Sequence, residues 1–331
     1  MKQLKNSTIL ITGGTGSFGS AFIPLTLKKY KPKKLIIFSR DELKQWELSQ
    51  KIKSKNVEFI LGDIRNKESI LDATKNVDYV VHAAAIKIVT TSETNPYECI
   101  KTNVIGSMNV LEACKKNKVK KVIALSTDKA SNPINLYGAT KLASDKLFVA
   151  GNNFNQKGST KFSLVRYGNV AGSRGSIIPF FKDQFKTKGV IPITNKNMTR
   201  FLITLRECVE FVWFCFNEMK GGEIFIKKLP SFTVLELAKA ISSNNKFKII
   251  GIRPGEKMHE QMISSDDSLY TYDFKNHFKI LPTINNNKQF YKIKKNHNHV
   301  AEDFSYVSNK NSKWLKSLEI RKWIKNNPRY L

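Results

Sequence analysis

An α/β fold, a Rossmann-type doubly wound parallel sheet with a smaller mixed α/β lobe, is what this 331-residue sequence predicts. Two observations carry that expectation. Short β-branched runs alternate with helical patterns over the first half of the chain, and a glycine-rich loop joins the first run to the first helix. Right-handed crossovers between successive strands then fix a doubly wound sheet.

The first strand is Thr8 to Thr12 (TILIT), followed by Gly13, Gly14, Thr15, Gly16, Ser17, Phe18 and Gly19 and a helical pattern to Tyr30. Strand, glycine loop and helix in this order form the context of a dinucleotide fingerprint. Its glycines permit a tight turn and close approach to a pyrophosphate resting on the helix N-terminus. The spacing is GxxGxxG, and a ligand-free turn is the competing reading. The loop's place at the head of an alternating chain weighs against that.

The second strand, Lys34 to Ser39, ends at Ser39-Arg40-Asp41. An acidic residue there accepts from a ribose 2′-hydroxyl, whereas arginine accommodates a 2′-phosphate, so Arg40 favours NADP over NAD. Asp41 reads equally well as a helix N-cap. After the third strand, Val57 to Leu61, come Asp63, a candidate partner for an adenine amino group, and Ile64. The fourth, Asp78 to His82, runs into Ala83, Ala84 and Ala85, whose small side chains let a cofactor lie against the strand ends. A helix is expected from Asn95 to about Asn117, with Asn103 inside it.

The fifth strand, Lys121 to Ser126, delivers Thr127, Asp128 and Lys129 to the same edge. A helix from near Tyr137 to about Ala150 carries Tyr137 and Lys141 four residues apart on one face. An ammonium beside a phenol lowers its pKa, making Tyr137 a candidate base for a sugar hydroxyl. A polar loop, Gly151 to Thr160, precedes the sixth strand, Phe162 to Tyr167. This divides the chain into a cofactor-binding unit over 1–168, a substrate lobe mainly over 169–284 and a basic tail over 285–331. The lobe is expected to hold helices over 179–188, 205–219 and 234–242 and a strand over 223–226. The tail reads as peripheral, with a terminal helix from Ser312 to Lys325.

Composition narrows the class. With 41% hydrophobic residues the chain is globular, and no apolar run reaches the ~18 residues of a membrane span. A first strand this close to the N-terminus leaves no room for a signal peptide, so a cytoplasmic protein is expected. The four cysteines lack CxxC spacing and read as buried thiols, and the five histidines show no metal-ligand spacing. No metal site is expected. The net charge of +29 invites a nucleic-acid reading. The lysines are spread along the whole chain without a recognisable module, so a compositional bias accounts for them and no nucleic-acid partner is expected.

The segments TGGTGSFG, SRDELKQ, ECIKTN, ALSTDKASNPINLYGATKL, VRYGNVAGSRGS, PITNKNMTRF and GIRPGEKMHE resemble those of the inverting UDP-N-acetylglucosamine 4,6-dehydratases. These are nucleotide-sugar-modifying, extended short-chain dehydrogenase/reductases that open the route to pseudaminic acid. The resemblance runs from about Thr8 to Trp314. It implies NADP as cofactor, oxidation at carbon 4 with Tyr137 as base, loss of water across carbons 5 and 6, and reduction at carbon 6. Lys129, if neutral, would take the carbon-5 proton and Asp128, if protonated, would donate to the leaving hydroxyl. Those roles could be reversed or shared with Tyr137. Thr127 would bond the carbon-4 oxygen, while Lys87, Asn169, Arg174, Thr194, Thr199, Arg200, Arg253 and Glu256 would surround UDP-N-acetylglucosamine. The resemblance also suggests a homo-oligomer, with a hexamer as one form.

For Asp128-Lys129 the bland reading is a surface ion pair, and for Arg174, Arg200 and Arg253 it is solvated charge. One departure stands out: Ile88 and Thr90 replace the family's usual histidine and proline near the sugar. Two other functions compete. A UDP-N-acetylhexosamine 4-epimerase uses the same Tyr137 and Lys141 but needs no acid/base pair at carbons 5 and 6. A non-catalytic NADP-binding or nucleic-acid-associated protein leaves Tyr137, Lys141 and Asp128 unexplained.

Overall fold

The computed structural model describes residues 4–153, 159–242, 244, 246–284 and 289–326. Strands β1 (Thr8–Thr12), β2 (Lys34–Ser39), β3 (Val57–Leu61), β4 (Tyr79–His82), β5 (Lys121–Thr127) and β6 (Lys161–Tyr167) lie in the order 3-2-1-4-5-6, all parallel. β1, β2 and β4 to β6 are nearly continuous buried apolar runs, as a sheet covered on both faces requires. The helices between them are α1 (Ser17–Tyr30), α2 (Glu42–Lys51), α3 (Lys67–Ala73), α4 (Val89–Thr94), α5 (Pro96–Ile100), α6 (Gly106–Lys116) and α7 (Leu136–Ala150).

The single helix expected from Asn95 to Asn117 is interrupted. One wide turn over Lys101–Ile105 joins α5 to α6, with the Gly106 amide reaching back to the Lys101 carbonyl. Such a turn lets Asn103 face the end of β4, where its side chain accepts from Ile86 N (2.9 Å) and donates to Ile86 O (3.0 Å). Sequence periodicity shows helix on either side but not the extra residue within one turn.

Beyond Tyr167 the chain forms β7 (Asn169–Ala171), α8 (Ile177–Lys188), β8 (Ile191–Ile193), β9 (Thr199–Thr204), α9 (Leu205–Glu218), β10 (Ile224–Lys227), β11 (Ser231–Thr233), α10 (Val234–Ile241), β12 (Phe247–Ile249) and β13 (Gln261–Ile263). Strands β11, β9 and β7 make one small sheet, and β12 pairs with β8. A second core of Ile178, Phe181, Ile193, Leu202, Phe232 and Leu237 lies beneath them. The strand expected over 223–226 belongs elsewhere. β10 continues the main sheet beside β6, and β14 (Thr271–Asp273), β15 (His277–Ile280) and β16 (Asn298–His299) extend that edge antiparallel. The main sheet thus takes strands from both sides of position 168. α9, closed by a Thr204/Glu207 capping box, packs on α1 with Phe22 and Trp213 stacked at 5.0 Å.

The C-terminal segment is not peripheral, as its composition suggested. β17 (Tyr306–Val307) pairs with β13, and the buried Tyr306 hydroxyl both receives a bond from Leu229 N (2.8 Å) and donates to Leu229 O (3.0 Å). The terminal helix spans Ser317–Asn326 rather than starting at Ser312. Lys313 to Leu315 are held extended, with Lys313 O and Leu315 N bonded to the Ser231 backbone. Residues 154–158 of the expected polar loop, and 285–288 at the start of the tail, lie outside the described residues.

Candidate active site

The glycine loop is shaped by close approach. Gly13 has φ +66°, and a Cβ there would sit 2.8 Å from Ala84 Cα, so the loop and the end of β4 touch backbone to backbone. A Cβ on Gly19 would meet the Gly14 carbonyl at 2.0 Å, so α1 packs directly on the turn. The N-terminus of α1 has no side-chain cap and no acidic residue in its first turn. That leaves the positive end of the helix open to an anion. These features fit the pyrophosphate of a dinucleotide lying across Gly13, Thr15, Gly16, Ser17, Phe18 and Gly19.

At the end of β2 the structure brings Arg40, Asp41 and Asp63 together. Asp41 is the N-cap of α2, accepting from Lys44 N at 3.0 Å, and the Ser39 hydroxyl is held by Gln45 (3.0 Å). Arg40 is half-exposed, 3.6 Å from Asp63 Oδ2. The carboxylate of Asp63 is already engaged by Arg65, through its backbone N–H at 3.0 Å and its guanidinium at 2.6 Å. Ile64 is buried against the start of α6, and Ala83 to Ala85 follow β4 along the same edge.

On the other side of β4 lies the candidate reacting centre. Asn135 caps α7 by accepting from Gly138 N (2.7 Å), which fixes the first turn carrying Tyr137. Tyr137 and Lys141 are both buried. The expected mutual tuning is not what the geometry gives. Lys141 Nζ donates to Leu125 O (2.8 Å), and burial lowers its pKa with Asp145 opposing. Burial pushes Tyr137 up to about 12, and the groups working against that are Lys129 and the Thr127 hydroxyl rather than Lys141. Helical spacing places Lys141 on the right face. The tuning charge comes from another loop.

Asp128 and Lys129 are no surface ion pair. Asp128 is 1% exposed, and its Oδ1 accepts from the Thr127 hydroxyl (2.9 Å) and Lys129 Nζ (3.2 Å). Lys129 Nζ also donates to Glu260 Oε1 at 2.9 Å, a residue that sequence reading passed over. Glu260 is 1% exposed and lies 3.5 Å from Arg200 Nε, while its backbone N–H donates to Ser308 Oγ at 2.9 Å. The signal was the last letter of GIRPGEKMHE, but only pairing β13 with the C-terminal segment turns it inward. Burial and the Glu260 carboxylate raise the Asp128 pKa. Burial also works to raise Glu260, but Lys129 and Arg200 together outweigh it and keep it low. For Lys129, burial lowers the pKa and the two carboxylates more than reverse that, holding the ammonium charged.

The expected sugar-nucleotide residues separate into three groups. Asn169 and Glu256 each present a buried side-chain oxygen without a hydrogen-bond partner, and Arg253 is half-exposed, 3.2 Å from Glu256 Oε1. Arg200, Thr194 and Thr199 are engaged internally. Arg200 donates to Thr199 O (2.8 Å), the Thr194 hydroxyl meets Met198 Sδ (3.0 Å), and the Thr199 hydroxyl lies 2.8 Å from His259 Nδ1 and 2.6 Å from Ser308 Oγ. Arg174 lies on the glycine loop, its amide donating to Ser17 Oγ (2.9 Å) and its guanidinium to Thr15 O, while Lys87 Nζ donates to its carbonyl (3.0 Å). Ile88 is exposed and precedes α4, with Thr90 in the first turn of that helix.

The family described as polysaccharide biosynthesis protein matches residues 9–282. An inverting UDP-N-acetylglucosamine 4,6-dehydratase of Campylobacter jejuni subsp. jejuni serotype O:23/36 (strain 81-176) is 52% identical over 324 residues, covering 96% of this chain and 97% of the relative. A UDP-glucose 4-epimerase of Rickettsia bellii (strain OSU 85-389) is 45% identical over 83% of each chain. Among solved structures, Pen from Bacillus thuringiensis superposes with a TM-score of 0.90 at 34% identity, over 99% of both chains. DesIV, a dTDP-glucose 4,6-dehydratase of Streptomyces venezuelae with NAD bound, shares the fold at 22% identity, with a TM-score of 0.68 over 76% of this chain and 86% of that one.

Proposed function

This chain belongs to the polysaccharide biosynthesis protein family, in its extended short-chain dehydrogenase/reductase form, and from that membership we propose a UDP-N-acetylglucosamine 4,6-dehydratase that inverts carbon 5. The observation that carries the reading is the Asp128-Lys129 pair beside Tyr137 at the carboxyl edge of the sheet, its carboxyl buried and its ammonium partly so. An epimerase of the same family has no use for an acid/base pair at carbons 5 and 6.

NADP is the cofactor in this proposal. Gly13 to Gly19 and the open end of α1 hold its pyrophosphate, and Arg40 meets the 2′-phosphate. Arg174, fastened to the glycine loop, joins the cofactor side rather than the sugar. Bound there, the nicotinamide would supply a hydride acceptor for carbon 4 and a positive charge that favours the Tyr137 phenolate while oxidised, and a hydride donor for carbon 6 once reduced. Tyr137 takes the carbon-4 hydroxyl proton, with the Thr127 hydroxyl bonding that oxygen. The resulting ketone acidifies the proton on carbon 5, which Lys129 removes. Asp128, the carboxyl whose surroundings favour the protonated form, donates to the leaving carbon-6 hydroxyl, and water departs. Residues 1–168 carry most of the cofactor site. Asn169, Arg253 and Glu256 of 169–284 meet the UDP, with Arg253 suited to its diphosphate. A homo-oligomeric, cytoplasmic enzyme completes the proposal, read by light scattering and cell fractionation.

The test is product identification by NMR in deuterated water, with NADP-loaded protein and UDP-N-acetylglucosamine. The expected product is a 6-deoxy-4-keto sugar carrying deuterium at an inverted carbon 5. Recovery of the galacto isomer alone would transfer the chain to the epimerases.

A further inference from the structure

The cluster around Lys129 contains more charge than the proposed reaction uses. Lys129 Nζ sits between Asp128 Oδ1 at 3.2 Å and Glu260 Oε1 at 2.9 Å. Arg200 braces Glu260 from β9, Lys257 and Tyr137 contribute from the neighbouring loop and α7, and Asp128 Oδ2 and Glu260 Oε2 are buried without partners. A charged ammonium held between two carboxyl groups has no lone pair to receive a further proton. If Lys129 is to remove the carbon-5 proton, it must pass one on.

We propose that Glu260 is a positioning residue for water loss, receiving a proton from Lys129 along their 2.9 Å hydrogen bond as Lys129 takes the proton from carbon 5. The protons balance. The C5–H bond breaks and its electron pair forms the C5–C6 double bond. Lys129 gains that proton and gives one to Glu260, while Asp128 loses its proton to the departing hydroxyl. The cluster ends with neutral Glu260, charged Lys129 and ionised Asp128. Arg200 then has a role its engaged donors explain: it keeps Glu260 ionised and ready, rather than holding diphosphate. The divergence of the two carboxyls, Asp128 raised and Glu260 lowered, agrees with this division.

This inference rests on the dehydratase reading, and the experiment separates the two. Glu260→Gln is compared with Glu260→Asp and the unaltered enzyme, all NADP-loaded and supplied with UDP-N-acetylglucosamine. The readouts are NADPH absorbance in a single turnover, water loss, and deuterium uptake at carbon 5. The expected Glu260→Gln enzyme forms NADPH normally and keeps its KM, but loses water about a hundredfold more slowly at neutral pH. Its alkaline decline also moves to lower pH, because Asp128 without the Glu260 carboxylate beside it gives up its proton sooner than in the parent. Glu260→Asp restores much of the neutral-pH rate. Unaltered water loss and pH profile in Glu260→Gln would overturn the inference. So would an equal loss of NADPH formation and water loss in both variants with a lowered melting temperature, which marks a structural role. A parent enzyme that releases no water at all refutes the dehydratase reading instead.

Discussion

The two halves of the proposed chemistry are built in opposite ways. Tyr137 and Lys141 come from one turn of one helix, α7, four residues apart, and are set by local geometry. Asp128, Lys129, Arg200, Glu260 and Ser308 come from four separated stretches of chain that meet only after the small lobe and the C-terminal segment have docked. The local pair is the easier to see in a sequence, yet its electrostatics are borrowed from the dispersed cluster. Lys129 and Thr127 are what oppose the upward push of burial on Tyr137. Placement within a helix is a short-range property, whereas the charge state of a buried group depends on everything packed around it.

Breaking each half in turn tests this contrast. Tyr137→Phe should have the largest effect, abolishing NADPH formation and so everything after it, on the order of a thousandfold or more in turnover. Full activity would refute the base assignment. Asp128→Asn should leave NADPH formation intact while water loss falls about a hundredfold or more. In the parent, the sign of the pH dependence follows from the raised Asp128 pKa: the acid is protonated at low pH, so water loss should decline as pH climbs through that value. A flat profile on the alkaline side would remove Asp128 as the acid.

Two smaller effects sharpen the comparison. Arg40→Ala lies outside both halves and should weaken NADP binding about tenfold while leaving NAD binding nearly unchanged, measured by fluorescence titration. Equal weakening of both would remove the 2′-phosphate role. Ser308→Ala deletes the hydroxyl that receives Glu260 N–H and meets Thr199. It should cost about 1 kcal/mol of stability by thermal melting and slow water loss a few-fold with NADPH formation untouched. If NADPH formation slows instead, the C-terminal segment supports the wrong half.

The sequence by itself determined the six parallel strands β1 to β6 and the residues at their carboxyl edge. Each strand from β1 to β6 is a short apolar run next to its own glycine, alanine or polar terminus, so period and punctuation read it directly. It also named Asp128, Lys129, Tyr137 and Lys141 through the order of motifs. Only the tertiary structure decided that Glu260 joins them, that Arg200 is bound inward while Arg174 lies on the glycine loop, and that a lysine- and asparagine-rich tail buttresses the centre. Those facts depend on pairings between residues far apart in the chain, such as β13 with β17. A periodic pattern records which face of an element is apolar. It does not record which distant segment will cover that face, or which charge that segment will bring.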